Sequence, residues 1–309
     1  MEDIINSMHG SQWFSEIDLQ NAYHQLPLNY ESSLLTTIAT PFGLYRYTVM
    51  PFGIKQAPAI FQSYLEKLLC GIEGVEIYQD NVYIHGKSRA EHDERLGVVQ
   101  SRMRKQELKV NEAKSHYAVR QLSVLGTVIN GTEAWPDPAK ADRIKSITRP
   151  RSVREVRSFL GFVEFYGKFI PDLATIKEPL TKLLRQSEHF VWVDKQQKSF
   201  EQLKEVVTAN NVLHTFDPKA EVVLKCDASP VGIGAVIEQH GHPVIFVSKT
   251  LAAAERGYAQ IEREALAIVW AVRRLHKYLF GRKFTLYTDH KPLQFIFEPS
   301  KPVPMVAAA

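Results

Sequence analysis

The sequence contains few cysteines, which limits the kinds of site that it can form. Cys70 and Cys226 are the two cysteines in 309 residues. Structural zinc sites and disulfide scaffolds need more cysteines, at close and repeated spacings. The sequence therefore predicts neither of them, and it favours a reducing intracellular setting.

Long apolar runs and a strong excess of one charge are also missing. No stretch approaches the roughly 20 apolar residues of a membrane-spanning helix, so we expect a soluble chain without a membrane partner. The net charge of +4 and the pI of about 8.9 are mildly basic, which permits a polyanionic partner without requiring one. With 45% hydrophobic residues, the chain can form the cores of about two domains.

The predicted secondary-structure pattern changes twice along the chain. The first third is rich in short strand patterns separated by Gly and Pro, and it includes "WFSEIDLQNAYHQLPL" and "IYQDNVYIHG". In "PRSVREVRSFLGFVEFYGKFIP", Ser152 and Glu155 form a capping-box pattern before apolar residues at helical spacing. After about Asp217 the pattern is β-β-β-α-β, which predicts a separate α/β domain.

Two acidic residues of the first third lie where β-elements are expected to end. Asp18 closes the first predicted strand, and Asp80 lies at the tip of the "YQDN" hairpin. Carboxylates brought together from distant strand ends are typical of two-metal phosphoryl-transfer sites, because Mg²⁺ prefers hard oxygen ligands. The alternative is that each aspartate only begins a turn.

Three further acids recur in the last third. Asp227 and Asp289 are expected at the ends of strands, and Glu264 on a strongly amphipathic helix. We place Glu264 on the polar side of that helix, near its boundary with the sheet. A solvated helix face is the alternative for an isolated glutamate.

Several longer stretches together resemble the polymerase and ribonuclease H region of Ty3/Gypsy-type retrotransposon proteins. They cover essentially the whole chain in the family's order. The stretches are "FSEIDLQNAYHQLPL", "TPFGLYRYTVMPFGIKQAPAIFQ", "YQDN", "VREVRSFLGFVEFYGKFIP", "CDASPVGIGAVIEQ" and "YAQIEREALAIVWAVRRLHKYLFGRKFTLYTDHKPL".

The resemblance implies an α+β chain with three parts. Residues 1–130 would form a right-hand polymerase palm with partial fingers, 131–212 a helical thumb, and 213–309 an α/β ribonuclease H-like domain that is truncated at its C-terminus. Asp18 and Asp80 would bind two Mg²⁺ ions, and Asp227, Glu264 and Asp289 would bind two more, with Mn²⁺ as a substitute. Other matched positions would bind substrate: Tyr23 as steric gate, Phe52, Gly53 and Gln62 at the nucleotide and template pocket, and Val124, Leu125 and Gly126 at the primer end.

Three departures from the family pattern suggest an impaired enzyme. Asn81 stands where the family has a second aspartate. The chain is expected to lack the preceding fingers segment, and also the final ribonuclease H helix with its fourth acid.

Several functions therefore stay open. One is an RNA-directed DNA polymerase with ribonuclease H activity. It would act on an RNA template, a DNA primer, deoxynucleoside triphosphates and RNA–DNA hybrids. The others are a catalytically silent relic and a recruited nucleic-acid-binding module. A cytoplasmic element particle and the nucleus are both compatible with the sequence, and the oligomeric state is open.

Overall fold

The first part of the chain contains a four-stranded antiparallel sheet with the order β4-β5-β1-β6. Strand β1 is central: it pairs with β5 on one edge and with β6 on the other, and its Phe14 and Ile17 side chains are fully buried. The elements are α1 (Glu2–Ser7), β1 (Trp13–Asp18), α2 (Tyr30–Leu34), β2 (Ile38–Thr40), β3 (Gly43–Tyr45), α3 (Ala57–Leu68), β4 (Val75–Tyr78), β5 (Asn81–Gly86), α4 (Arg89–Lys105), β6 (His116–Val119), β7 (Leu122–Val124) and β8 (Thr127–Ile129).

Helices α3 and α4 pack with one face of this sheet in a single hydrophobic cluster. Phe61 and Leu65 of α3 and Val99 of α4 join Ile17 and Val82 there. At the start of α4, the Ser88 side chain accepts a hydrogen bond from the Glu91 N–H, as a helix cap does.

The strand pattern at the end of "WFSEIDLQNAYHQLPL", near Leu26 and Leu28, does not form a regular strand. Pro27 makes a single antiparallel bridge to Val49. The Leu28 N–H donates to Thr48 and the Met50 N–H to Leu26. Proline has no N–H, so a longer ladder through position 27 would lack one of its bonds.

The second part of the chain contains helices followed by a mixed sheet. Its elements are β9 (Glu133–Pro136), α5 (Pro138–Ala141), α6 (Val153–Phe165), α7 (Leu173–Lys182), α8 (Asp194–Thr208), β10 (Leu213–His214), β11 (Val222–Ala228), β12 (Gly232–Gln239), β13 (His242–Thr250), α9 (Ala253–Arg256), α10 (Gln260–Arg274), α11 (His276–Leu279) and β14 (Phe284–Tyr287). The sheet order is β13-β12-β11-β14, and the pairing of β11 with β14 is parallel.

The expected capping box at α6 is only half formed. The Ser152 side chain accepts from the Glu155 N–H, as predicted. The Glu155 carboxylate, however, accepts from the N–H of Arg151 and not from that of Ser152. The helix also ends at Phe165, and a short 3₁₀ turn, Gly167–Phe169, carries the chain towards Pro171.

The computed structural model describes residues 2–185, 189–209, 211–290 and 292–293. They belong to two compact units: one runs to Val124 and includes Ile129–Thr132, and the other includes Leu125–Val128 and continues from Glu133. The three predicted boundaries stay predictions, and residues 294–309 lie outside the described part. Along the described residues, no helix is both long enough and apolar enough to cross a membrane.

Candidate active sites

The register of β1 and β5 places polar side chains on the face of the sheet opposite its core. Asp18 is paired with Asn81, and Glu16 with Tyr83. Side chains alternate between faces along a strand, so these four share one face, whereas Ile17 and Val82 point into the core.

Asp80 lies in a two-residue turn between β4 and β5. Gln79, beside it, has a φ of 56°, which is unfavourable for a non-glycine residue. The Gln62 side chain holds this turn: Oε1 accepts from the Gln79 N–H at 2.7 Å, and Nε2 donates to the Ile77 carbonyl at 3.0 Å. The predicted role of Gln62 was in the nucleotide and template pocket. Its contacts here position the turn that carries Asp80.

The segments that carry the two aspartates meet, because the Leu19 N–H donates to the Asp80 carbonyl at 3.1 Å. Burial is the largest cause that raises the pKa of the Asp18 carboxyl, and the charge of Asp80 raises it further. Lys114 and a hydrogen bond from Asn111 oppose this shift. Neither residue was predicted, because no pattern in the sequence connects Lys114 or Asn111 with Asp18, which lies about 90 residues earlier in the chain. The Asp18 N–H also donates to the Ser115 hydroxyl at 3.1 Å.

The Asn81 side-chain amide has an unusual set of hydrogen bonds. Its Nδ2 donates to the Tyr83 hydroxyl at 3.4 Å. Its Oδ1 is buried, and none of the described residues gives it a hydrogen bond. A buried carbonyl oxygen normally has a partner. An unsatisfied hard oxygen beside two carboxylates fits a divalent cation, because Mg²⁺ and Mn²⁺ both accept such ligands.

Tyr23 lies near Asp80 and packs against Phe52. Their rings meet edge to face, with centroids 5.4 Å apart. The pKa of the Tyr23 hydroxyl is raised by burial and by the charge of Asp80. Gly53 has a φ of 88°, in the left-handed region that favours glycine. The structure thus brings Tyr23 near Asp80 and Phe52 against Tyr23, and the substrate roles of all three residues stay predictions.

Val124, Leu125 and Gly126 lie where β7 ends and a tight turn begins. Val124 is fully buried, and the turn residues Leu125 and Gly126 have φ values of 50° and 82°. A Cβ at Gly126 would approach the Phe165 ring to 2.9 Å, so the position suits glycine sterically as well. Their predicted contact with a primer is not tested by this geometry.

The three acids of the second unit converge. One carboxylate oxygen each from Asp227, Glu264 and Asp289 lie within 4.8 Å of one another. Asp227 is on β11, Glu264 on α10, and Asp289 two residues beyond the end of β14. Three carboxylates at this spacing suit divalent cations, which bind hard oxygen ligands and offset their mutual repulsion.

The prediction that Glu264 lies on the polar side of its helix is wrong. Its exposure is 4%, and it shares the buried face of α10 with Ala267, Ile268 and Ala271. The helix is turned so that this face packs on the sheet, while the apolar Val269 is 48% exposed. The buried carboxylate accepts a hydrogen bond from Gln260 at 2.6 Å.

This burial has a clear electrostatic consequence. Removal from water is the largest cause that raises the pKa of Glu264, and the charges of Asp227 and Asp289 add to it. The hydrogen bond from Gln260 and the charge of His290 act in the opposite direction. The cluster therefore favours a bound cation or a proton.

Comparison with known proteins identifies both units. Residues 2–129 match the family model described as "Reverse transcriptase (RNA-dependent DNA polymerase)", and residues 192–286 match "RNase H-like domain found in reverse transcriptase". The chain is 34% identical to the Pol polyprotein of transposon 297 of Drosophila melanogaster, over 98% of the chain and 29% of that protein. It is 32% identical to the gypsy Pol polyprotein of the same organism, over 94% and 30%. The corresponding values for the Tf2-7 polyprotein of Schizosaccharomyces pombe are 30% identity over 95% and 23%.

Solved structures show the same fold. The foamy viral protease-reverse transcriptase dRH in complex with double-stranded DNA superposes with a TM-score of 0.86 at 23% identity, over 98% of this chain and 54% of that one. The foamy viral protease-reverse transcriptase in complex with an RNA/DNA hybrid superposes with a TM-score of 0.82 at 22% identity, over 99% of this chain and 43% of that one. The chain thus spans about three tenths of the length of the first two transposon relatives. It belongs to the reverse transcriptases with an RNase H-like domain that Gypsy-type retrotransposons encode in their Pol polyproteins.

Proposed function

We propose that the polar face of the first sheet is an RNA-directed DNA polymerase centre. The observation that carries this proposal is the pairing of Asp18 with Asn81 beside the Asp80 turn, because it brings together three oxygen-bearing side chains from two segments distant in sequence. Asp18, Asp80 and Asn81 would hold divalent cations, Mg²⁺ or Mn²⁺. When bound, such cations lower the pKa of a primer hydroxyl and offset phosphate charge.

The chain's own residues have distinct tasks in this centre. Gln62 fixes the turn, so that Asp80 keeps its place when a charged substrate binds. Lys114 places a positive charge near Asp18, which favours the ionised carboxylate that a cation needs. Tyr23 and Phe52 present aromatic surface near Asp80, where the sugar of an incoming deoxynucleoside triphosphate would be selected.

Asn81 weakens this centre. Two divalent ions carry four positive charges, and Asp18 and Asp80 supply two negative ones. An amide oxygen is a dipole and not an anion, so the ions bind less tightly than with a third carboxylate. We therefore expect primer extension to be slow, since the loss of one transition-state ligand costs about 10²-fold or more.

We propose that the second unit cleaves the RNA strand of RNA–DNA hybrids. Asp227, Glu264 and Asp289 would hold divalent cations, which when bound activate water and stabilise the leaving oxygen. The convergence of their oxygens within 4.8 Å supports this function. The foamy viral relatives solved with double-stranded DNA and with an RNA/DNA hybrid support nucleic acid as the partner.

Two single variants test both activities in one protein. Asp18→Asn should abolish extension of a DNA primer on RNA and leave hybrid cleavage unchanged. Glu264→Gln should do the reverse. Glu262→Gln, on the exposed side of α10, is the matched control and should affect neither activity. Loss of both activities in either variant would contradict two separate centres.

Asn81 also favours a second candidate, a nucleic-acid-binding protein without catalysis. Arg151, Arg154 and Arg157 are exposed at the start of α6 and could contact a phosphate backbone. This candidate predicts salt-dependent duplex binding, with neither extension nor cleavage in Mg²⁺ or Mn²⁺. Measurable extension that Asp18→Asn abolishes would exclude it.

A further inference from the structure

A chain of hydrogen bonds lies beneath Asn81 in the first unit. The Asn81 amide nitrogen donates to the Tyr83 hydroxyl at 3.4 Å, and the same hydroxyl is hydrogen-bonded to the Glu16 carboxylate. Tyr83 is 1% exposed, so water does not replace either partner. The three side chains share one face of β1 and β5, with Glu16 directly opposite Tyr83.

The number of protons fixes the direction of these bonds. A tyrosine hydroxyl has one proton, and an ionised carboxylate can only accept. The Tyr83 proton therefore goes to Glu16, and the hydroxyl oxygen is left as an acceptor. An N–H of the residue 81 side chain donates to this hydroxyl oxygen, whereas an unprotonated oxygen at the same position could not donate. The amide is thus oriented with Nδ2 towards Tyr83, and Oδ1 is the atom without a partner among the described residues.

We propose that Glu16 and Tyr83 are positioning residues that select an amide at position 81 and present its Oδ1 to the polymerase centre. The use of this oxygen as a cation ligand rests on the function proposed above. The orientation of the amide does not depend on that function. Asn81 is then matched to its surroundings and is more than the loss of an acid.

The proposal has a consequence for the obvious repair of the site. Asn81→Asp by itself places two carboxylates on one hydroxyl that has one proton. One oxygen of the new carboxylate then faces the lone pairs of Tyr83 in a buried place, which is unfavourable. Glu16→Gln removes the conflict, because an amide at position 16 can donate to the Tyr83 oxygen and release the Tyr83 proton to the carboxylate at position 81.

A double-mutant cycle tests this directly. The proteins are the wild type, Asn81→Asp, Glu16→Gln and the double variant, unfolded by urea in EDTA. We expect Asn81→Asp to lower the urea midpoint in the wild-type background and to lower it much less, or not at all, in the Glu16→Gln background. Equal shifts in both backgrounds would overturn the proposal.

A matched control separates proton sharing from simple charge repulsion. Glu76 lies opposite Tyr83 on the other side of β5, on strand β4. Glu76→Gln removes the same charge without freeing the Tyr83 proton, so it should not rescue Asn81→Asp. Equal rescue by Glu76→Gln would overturn the proposal. Tyr83→Phe removes the shared hydroxyl, and in that background Glu16→Gln should no longer reduce the stability loss caused by Asn81→Asp.

Mn²⁺ binding, followed by calorimetry, tests the function on which the ligand role rests. Asn81→Asp with Glu16→Gln should bind Mn²⁺ at least tenfold more tightly than the wild type, and Asn81→Asp alone should gain less. Mn²⁺ affinity that is the same in every variant at position 81 would show that Asn81 is not a cation ligand. If the stability cycle still shows the expected coupling, the positioning of the amide by Glu16 and Tyr83 stands.

Discussion

Glu264→Gln should change stability and activity in opposite directions. Glu264 is buried, and an oxygen of each of its acidic neighbours lies within 4.8 Å of it. Two unit charges at that distance repel by about 3.5 kcal/mol at an effective dielectric constant of about 20. Asp227 and Asp289 are exposed, so solvent reduces this repulsion. We expect the neutral amide to raise the free energy of unfolding by about 1–3 kcal/mol without a cation.

The hydrogen bond to Gln260 should survive the change. The introduced amide can turn its carbonyl oxygen to the Gln260 side chain, which donates to the Glu264 carboxylate at 2.6 Å in the wild type. The stabilisation should therefore come mainly from the removed charge. In EDTA the melting temperature should rise by about 2–4 °C for each kcal/mol.

A pH series gives the sign of the effect independently. The pKa of Glu264 is raised in the folded state above its ordinary value of 4.5. The folded state therefore binds the proton more tightly than the unfolded state, and protonation stabilises the fold. This stabilisation is fully present below the ordinary pKa and is lost as the pH rises through the folded pKa. The advantage of Glu264→Gln should thus be large at neutral pH and should vanish in acid.

Mn²⁺ should reverse the order of the two proteins. A cation that binds only the folded state stabilises it by RT ln(1 + c/Kd), where c is the free cation concentration, and the wild type, with the fuller set of charges, has the lower Kd. Cleavage of a hybrid by Glu264→Gln should fall by about 10²-fold or more. Glu262→Gln should change stability by no more than about 0.5 kcal/mol. A Glu264→Gln protein less stable than the wild type in EDTA at neutral pH would refute the reasoning.

Three further predictions concern other parts of the fold. The pKa of the buried His85 imidazole is lowered from 6.5 to about 4, chiefly by burial, so the unfolded state takes up its proton first. Relative to His85→Gln, the free energy of unfolding of the wild type should therefore fall by about 3 kcal/mol between pH 6.5 and pH 4, as measured by urea unfolding. A difference between the two proteins that does not change with pH would contradict this. Gln62→Ala should destabilise the first unit by about 1–2 kcal/mol and slow primer extension, whereas Gln62→Glu, which keeps the acceptor for Gln79, should lose less in both assays. Replacing Arg151, Arg154 and Arg157 by glutamine should reduce the slope of log affinity against log salt for duplex binding by about 2–3; an unchanged slope would place the phosphate contacts elsewhere.

Local sequence patterns determined much of the architecture. The alternation of apolar residues in β1 and in β11 and β12 predicted these strands, because one face of each meets a core. The helical spacing of apolar residues likewise predicted α6 and α10. The resemblance to the retrotransposon family singled out Asp18 and Asp80, and also the three acids Asp227, Glu264 and Asp289.

Tertiary packing decided what these patterns could not. The rotation of α10 buries Glu264, since an amphipathic stripe broad enough to hold several apolar residues does not specify which of them meets the sheet. The approach of Lys114 to Asp18 depends on a loop that folds back over a strand distant in sequence. The hydrogen bonds of Asn81 likewise depend on the register of β1 against β5, which places Glu16 opposite Tyr83. The sequence by itself determined that an amide replaces an acid at position 81. The proposed reason for the orientation of that amide is tertiary: it shares a buried hydroxyl with a carboxylate, and the hydroxyl has one proton to give.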